Sequence, residues 1–305
     1  MNTETTSLMT LAAMTEDDAR AMLERIRWPD GKVCPHCGIA SDVWNLVTRP
    51  GLYKCKACRK QFTVTVGTIF HRSHITLKQW VIAFHLMCSS KKGISALQLQ
   101  RELGLASYQS AWHLAHRIRH AMKVEPLNAM LSGEVEADEM YVGGKPRYGA
   151  KGRVGRGTVK QPVAVLVQRD GAARARAVEH VDSDTLKGFV RENVAKNSTL
   201  FTDEWASYRG LGKEFNGGHR VVRHKDHQYA RPGGIHSNTA ESFNGLFKRA
   251  VMGAWHHVSK QHIQRYLDEA SFRWSARRMT DGERTELALG QAEGKRLMYR
   301  DSCGL

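Results

Sequence analysis

Four cysteines and three groups of carboxylates are the residues of this chain whose types and spacing suit chemistry. Cys34-Pro35-His36-Cys37 and Cys55-Lys56-Ala57-Cys58 are two CxxC pairs with 17 residues between them. Two tight turns that each present two thiolates can close a tetrahedral set around Zn²⁺, and this spacing is that of a zinc ribbon. Such a site is full, so its role is structural. Gly38 after the first pair eases the backbone where its amides turn toward sulfur. His36 lies inside the first turn, but four thiolates already complete the set. Cys88 and Cys303 stand alone and read as ordinary thiols. Nothing indicates export, which argues against disulfides.

The acids fall in three places. Glu134, Glu136 and Asp138 alternate with Val135 and Ala137, an unusual load of charge for a strand, and Glu139 follows. Thr199-Leu200-Phe201-Thr202 delivers Asp203 at the end of a second strand. Asn238 can cap a helix that carries Glu241 and Lys248, seven residues apart and so on one face. Carboxylates on two strands and a helix suit a shared divalent metal site of the kind that drives in-line attack on phosphorus. Thiolates would select a different metal, so the two sites must be separate.

Elements that position these residues follow from pattern. Thr15-Glu16-Asp17-Asp18 opens a short helix that ends at Trp28-Pro29-Asp30-Gly31. Residues 33–66 hold short β pieces, and 76–123 read as helical with breaks near Lys91–Gly93 and Gly104. Strands are expected at 133–142, 162–169, 173–180, 199–202 and 219–224, with helices at 182–197, 238–250 and 259–277. Within 94–122, Ser95 and Ser107 can cap two helices around a turn at Gly104. The second carries Gln109, His113, His116, Arg117 and Arg119 beside an apolar face, as in a helix-turn-helix, although an ordinary helical hairpin gives the same pattern.

The chain has 305 residues, 46 Lys and Arg against 30 Asp and Glu, and a net charge of +16. Residues 34–130 hold 13 basic and 3 acidic residues, net +10. Lys54, Lys56, Arg59 and Lys60 lie in the cysteine segment, where they can meet phosphates. Residues 143–160 hold six glycines, no acid, and Lys145, Arg147, Lys151, Arg153, Arg156 and Lys160. No GK[ST] follows, which excludes a nucleotide-binding loop and leaves a basic loop for the DNA backbone. No apolar run is long enough for a membrane span, and a secretory signal is not expected.

Together these stretches resemble the bacterial insertion-sequence transposases that join an N-terminal zinc ribbon to an RNase H-like DDE core, the ISXO2-like group. The resemblance spans about 15 to 278. It rests on Arg27–Gly31 leading to Cys34–Gly38, Val135–Glu139 with Tyr141–Gly144, Thr202–Glu204 with Tyr208, His236–Glu241 with Leu246–Arg249, and Tyr266–Arg273. It implies an α/β protein with a mixed-sheet core. It makes Asp138, Asp203 and Glu241 the metal-binding triad, and Lys248 the associated basic residue. It selects Asp138 over Glu136 and Glu139, whereas alternation does not separate Asp138 from Glu136. The family often has Trp where Asn244 stands, and some members use Asn as third ligand, so Asn238 and Asn244 remain alternatives.

The expected organisation is an N-terminal helical segment (1–32), a zinc ribbon (33–70), a helix-turn-helix-like segment (71–130), a catalytic core (131–280) and an uninformative tail (281–305). The expected function is that of a cytoplasmic, nucleoid-associated DNA transposase. It would bind the terminal inverted repeats of its element, use two Mg²⁺ or Mn²⁺ ions for cleavage and strand transfer, and act as a dimer or larger assembly on double-stranded DNA. A zinc-ribbon regulator with an inactive core and a metal-dependent nuclease are the alternatives.

Overall fold

A computed structural model describes residues 6–40, 42–124, 130–143, 160–203, 206–222 and 237–303. It divides into two compact units, residues 1–122 with 279–305, and residues 123–278. No helix among the described residues is long and apolar enough to cross a membrane.

The first unit starts with α1 (Leu8–Ala13) and α2 (Glu16–Arg27). Thr15 and Asp18 cap α2 reciprocally, as the sequence pattern predicts. Strands β1 (Val43–Asn45), β2 (Tyr53–Cys55) and β3 (Gln61–Phe62) form an antiparallel sheet around the cysteines. Trp28 packs edge-on against Tyr53 and Phe62, which fastens the end of α2 to this sheet. Next come α3 (Leu77–Ser89), buried along most of its length, then α4 (Ala96–Leu103) and α5 (Tyr108–Ala121). The turn between α4 and α5 has the chemistry expected of it. Ser95 and Ser107 accept from the amides of Gln98 and Ser110, and Gly104 takes the left-handed conformation, φ +62°, that ends α4.

In the second unit, β4 (Glu134–Val142), β5 (Gln161–Gln168) and β6 (Ala173–Ala177) form an antiparallel meander. β7 (Thr199–Thr202) then lies parallel to β4, and β8 (His219–Val221) parallel to β7. The order β6-β5-β4-β7-β8 is that of an RNase H-like core. Alternation along β4 sorts its side chains. Val135 and Ala137 meet α6 (Ser183–Asn193) through Leu186, Phe189 and Val190. Met140 and Val142, from the other face, meet α7 (Asn238–Ala250) and α8 (Ile263–Ser275) through Phe243, Phe247 and Leu267. Parallel pairing of β4 with β7 covers 134–136, so among the described residues the stretch from Asp138 onward is paired on one side alone, with β5. That leaves a notch at the carboxyl end of β7, where Asp203 emerges.

The tail departs most from expectation. Thr280 and Glu283 form a capping box that starts α9 (Asp281–Gly290), and α10 (Tyr299–Cys303) follows. α9 belongs to the first unit. Ala288 and Leu289 are buried, and the Thr285 hydroxyl sits 3.1 Å from His85 Nδ1. Arg284 donates to the carbonyl of Cys88 at 2.9 Å, satisfying a group left open at the end of α3. The Gly294 amide donates to the Gly67 carbonyl at 3.0 Å. The tail therefore ties α3 to the segment that follows the cysteine sheet. Leu289→Ala is expected to cost the first unit about 2–4 kcal/mol in chemical denaturation. An unchanged midpoint would mean that α9 is an appendage.

Candidate active site and metal centre

The two CxxC turns bring Cys34, Cys37, Cys55 and Cys58 into one cluster. Cys34 Sγ lies 3.7 Å from Cys58 Sγ, and Cys37 Sγ 3.7 Å from Cys55 Sγ. Four sulfurs about 2.3 Å from one tetrahedral ion would stand about 3.8 Å apart, so the set fits such an ion. The residue after each turn is left-handed, Gly38 at φ +76° and Arg59 at +58°. Glycine adopts this without cost, whereas Arg59 holds it under strain. Burial raises the Cys34 thiol, but the amides of His36 and Cys37 and the sulfurs of Cys37 and Cys58 outweigh it and hold it at about 7. Cys37 goes the other way. Despite the Ile39 amide, burial and the other three sulfurs push it to about 12. A cation would relieve that crowding. His36 points away, its Nε2 3.2 Å from the Gln61 carbonyl.

The acids converge at the notch. Ligand oxygens of Asp138, Glu139 and Asp203 lie within 4.8 Å of one another. Burial, followed by the charges of Asp203 and Glu241, pushes Asp138 up to about 6, against the Glu139 amide and the Lys248 ammonium. Like charges gathered this way suit a divalent cation with oxygen ligands. Asp138 is held on both oxygens: Oδ1 accepts the Glu139 amide at 2.8 Å and Oδ2 accepts Asn244 Nδ2 at 2.7 Å. Asn244, an alternative ligand by sequence, thus touches Asp138, and its buried Oδ1 has no hydrogen-bond partner among the described residues. Tyr208 donates to Glu139. Glu241 and Lys248 are exposed on α7, outside the 4.8 Å group but close enough to shift Asp138. Glu139 is the member that sequence reasoning passed over. Alternation puts it on the face opposite Asp138, and only the missing partner strand lets both carboxylates reach one point. Tyr208 was the available signal, since it belongs to the motif around Asp203.

Glu136 does something different from what its place beside Asp138 suggests. It is completely buried. Its carboxylate accepts from Arg169 Nε at 2.6 Å, from the amides of Thr239 and Ala240 at 2.8 and 2.9 Å, and from the Thr239 hydroxyl at 3.0 Å. Ser237, at the start of α7, makes no side-chain cap. Glu136 therefore caps α7 from another element, with its charge at the positive end of the helix. Arg169 is held in turn by Glu134 at 2.8 Å and lies 4.1 Å from the Phe201 ring centre.

The residues expected to meet DNA divide. Gln109, Lys56, Arg59 and Lys60 are exposed. Lys56 pairs with Asp42 at 3.0 Å, and half-buried Lys54 sits 5.8 Å from the Trp44 ring centre. His113 is half-buried, edge-on to Tyr299. Arg117 is a correction. It is buried against Trp80, donating to the His71 carbonyl at 3.0 Å, so it is absent from the outward face of α5. His116 and Arg119 are buried too. α5 packs against α4 and touches α10 of the tail, and its outward face shrinks to the amino-terminal turns. Lys145, Arg147, Lys151, Arg153 and Arg156 lie outside the described residues.

Two expectations follow. The folded protein holds the Asp138 proton more tightly than an unfolded chain, whose carboxylate titrates near 4. Ionising it therefore costs stability above pH 6, and that cost disappears below about pH 4. Without metal, Asp138→Asn should raise stability by about 1–3 kcal/mol at pH 7.5 and have little effect at pH 4, by chemical denaturation. Glu136→Ala should cost about 3–5 kcal/mol in the same measurement, because it leaves the Arg169 charge and two helix amides uncompensated. A loss under 1 kcal/mol would show that the cap is dispensable.

Comparison with known proteins agrees with this geometry. The family model for the ISXO2-like transposase domain matches residues 130–275, and that for the transposase zinc-ribbon domain matches 14–61. A Halobacterium salinarum protein, described as an uncharacterized protein in transposable element ISH50, is 28% identical over 277 residues, covering 83% of this chain and 89% of that protein. Two solved structures are distant. A pre-cleavage Mos1 transpososome is 15% identical, covering 67% of this chain and 75% of that one at TM-score 0.26. A Mos1 paired-end complex with the left transposon end is 13% identical, covering 70% and 75% at TM-score 0.28. Likeness at that level adds nothing to the assignment, which rests on the two domain matches. With its zinc-ribbon domain followed by a DDE domain, the chain belongs to the ISXO2-like transposases of the IS1595 family.

Proposed function

We propose that this DNA transposase binds the terminal inverted repeats of its insertion sequence, cleaves DNA at the element ends, and joins the freed 3′-hydroxyls to target DNA. The observation that carries the reading is the convergence of Asp138, Glu139 and Asp203 at the carboxyl end of β7, beside a helix bearing Glu241 and Lys248. Asp138, Asp203 and Glu241 would hold two Mg²⁺ or Mn²⁺ ions, with Glu139 at the same pocket. Bound there, the cations supply activation of the attacking oxygen and neutralise charge on the leaving oxygen. The chain's own groups do the positioning. Asn244 fixes one oxygen of Asp138, and Tyr208 fixes Glu139. Lys248 meets a phosphate oxygen next to the scissile bond.

In strand transfer the 3′-oxygen of the element bonds to a target phosphorus, and the target's own 3′-oxygen leaves with the proton. One phosphodiester replaces another, so no nucleotide triphosphate is consumed. The four cysteines hold a structural Zn²⁺. Lys54, Lys56, Arg59 and Lys60 with the exposed start of α5, and the basic segment 145–156, supply DNA contacts. Holding two ends together calls for at least a homodimer, working on the nucleoid in the cytoplasm.

The test combines the full-length protein, duplexes carrying the flanking inverted repeats, Mg²⁺ or Mn²⁺, and a target plasmid. Joined products are expected, falling at least roughly 10³-fold in Asp138→Asn while end binding persists. Cleavage without joining would replace the reading with a nuclease. Specific binding alone, unchanged in Asp138→Asn, would replace it with a regulator.

A further inference from the structure

An open cleft of about 420 Å³ lies in the first unit between residues 71–75, the amino-terminal half of α5 and the tail. His71, Arg72, His74, His113, Arg117 and Arg296 line it, and no carboxylate does. Arg117 forms its floor. It is 6% exposed, and its Nε is buried with no hydrogen-bond partner among the described residues. Burial and the Arg296 charge bring its guanidinium down to about 10, so it still carries its charge at neutral pH. Burial and the charges of Arg296, Arg72 and Arg117 also lower His71, which favours its neutral form. A buried cation that faces other cations and no acid is costly until an anion arrives.

We propose that this cleft is a phosphate subsite that grips the DNA backbone beside the exposed start of α5, and that the carboxy-terminal tail is part of the DNA-binding surface. The proposal rests on the transposase reading and deepens it. Ser110 of α5 lines the same cleft, next to exposed Tyr108 and Gln109, so a duplex laid on that helix end brings its backbone to the opening. Tyr299 from the tail lies edge-on to His113, ring centres 5.4 Å apart, which joins the tail to α5 at the rim. Arg117 contributes its charge from below, through a position where base readout is closed to it. A phosphodiester fits this set better than a base edge, because three arginines line the cleft and no carboxylate or amide side chain does.

The experiment measures binding of the full-length protein to a terminal-repeat duplex and to a scrambled duplex between 50 and 200 mM salt. Arg296 is exposed and repels Arg117, so Arg296→Ala should not lower thermal stability. It should weaken binding to both duplexes about 3- to 10-fold, with the ratio between them unchanged. The slope of log affinity against log salt should shrink by about 0.9, the value for one phosphate. Arg296→Lys should keep most of the slope. Unchanged affinity and slope in Arg296→Ala would overturn the proposal, including the case in which inorganic phosphate at millimolar concentration protects the protein from heat and the cleft serves a free anion. A loss confined to the repeat duplex would also overturn it, since that marks base readout. Failure here is separable from failure of the function, because a wild-type protein that joins ends to target remains a transposase whatever Arg296 does.

Discussion

A buried carboxylate ties the catalytic unit together. Glu136 leaves β4 on the same face as Asp138 and ends at the amino terminus of α7. Burying such an anion is unfavourable on its own. Here Arg169 neutralises it, and two helix amides and a hydroxyl occupy its oxygens. The consequence is geometric. The strand that carries Asp138 and the helix that carries Glu241, Asn244 and Lys248 are joined at one charged point, two residues from Asp138 on one side and two from Glu241 on the other. Asn244 makes the second attachment one turn further along, directly to Asp138. Two anchors fix both the height and the rotation of the helix, which is what the side chains around a metal site require.

The molecule gathers like groups in three places, and each implies a partner of the opposite kind. Carboxylates crowd the notch, four thiols crowd the ribbon, and cations line the cleft beneath α5. Burial first, and the like groups after it, push Asp138 and Cys37 up and lower Arg117. A cation among the acids, one among the sulfurs, and the proposed phosphate among the arginines would each offset such a penalty. The +16 of the whole chain is thus a sum over sites of opposite sign.

Strand staggering makes the notch. β4 is nine residues long and β7 four, and they pair only through Glu136. Asp203 follows directly on Thr202, so it leaves the sheet where β4 has lost its neighbour. The short strand costs ladder hydrogen bonds, and the space it opens is where the acids meet.

Much was legible in the chain because it is local. Two CxxC turns, the caps at Thr15, Ser95 and Ser107, the turn at Gly104 and the alternation of β4 each depend on residues within a few positions of one another. Such patterns survive translation into structure nearly intact. The core strands and the helices that bear Asp138, Asp203 and Glu241 came out within a few residues of expectation. The tail read as uninformative, because the groups that hold α9 lie nearly 200 residues away from it in the chain. What tertiary structure alone decided is the direction each charged side chain takes. Glu136 and Asp138 share a face, and only the arrival of α7 turns one into a helix cap and leaves the other at the notch. Glu139 sits on the wrong face by alternation and joins the acids because a neighbouring strand stops short. Arg117 belongs to a basic helix by sequence and lies under Trp80 in the fold. Charge and periodicity along a chain specify which groups are present, whereas burial and pairing, which fix what a charge does, depend on elements brought together from far apart.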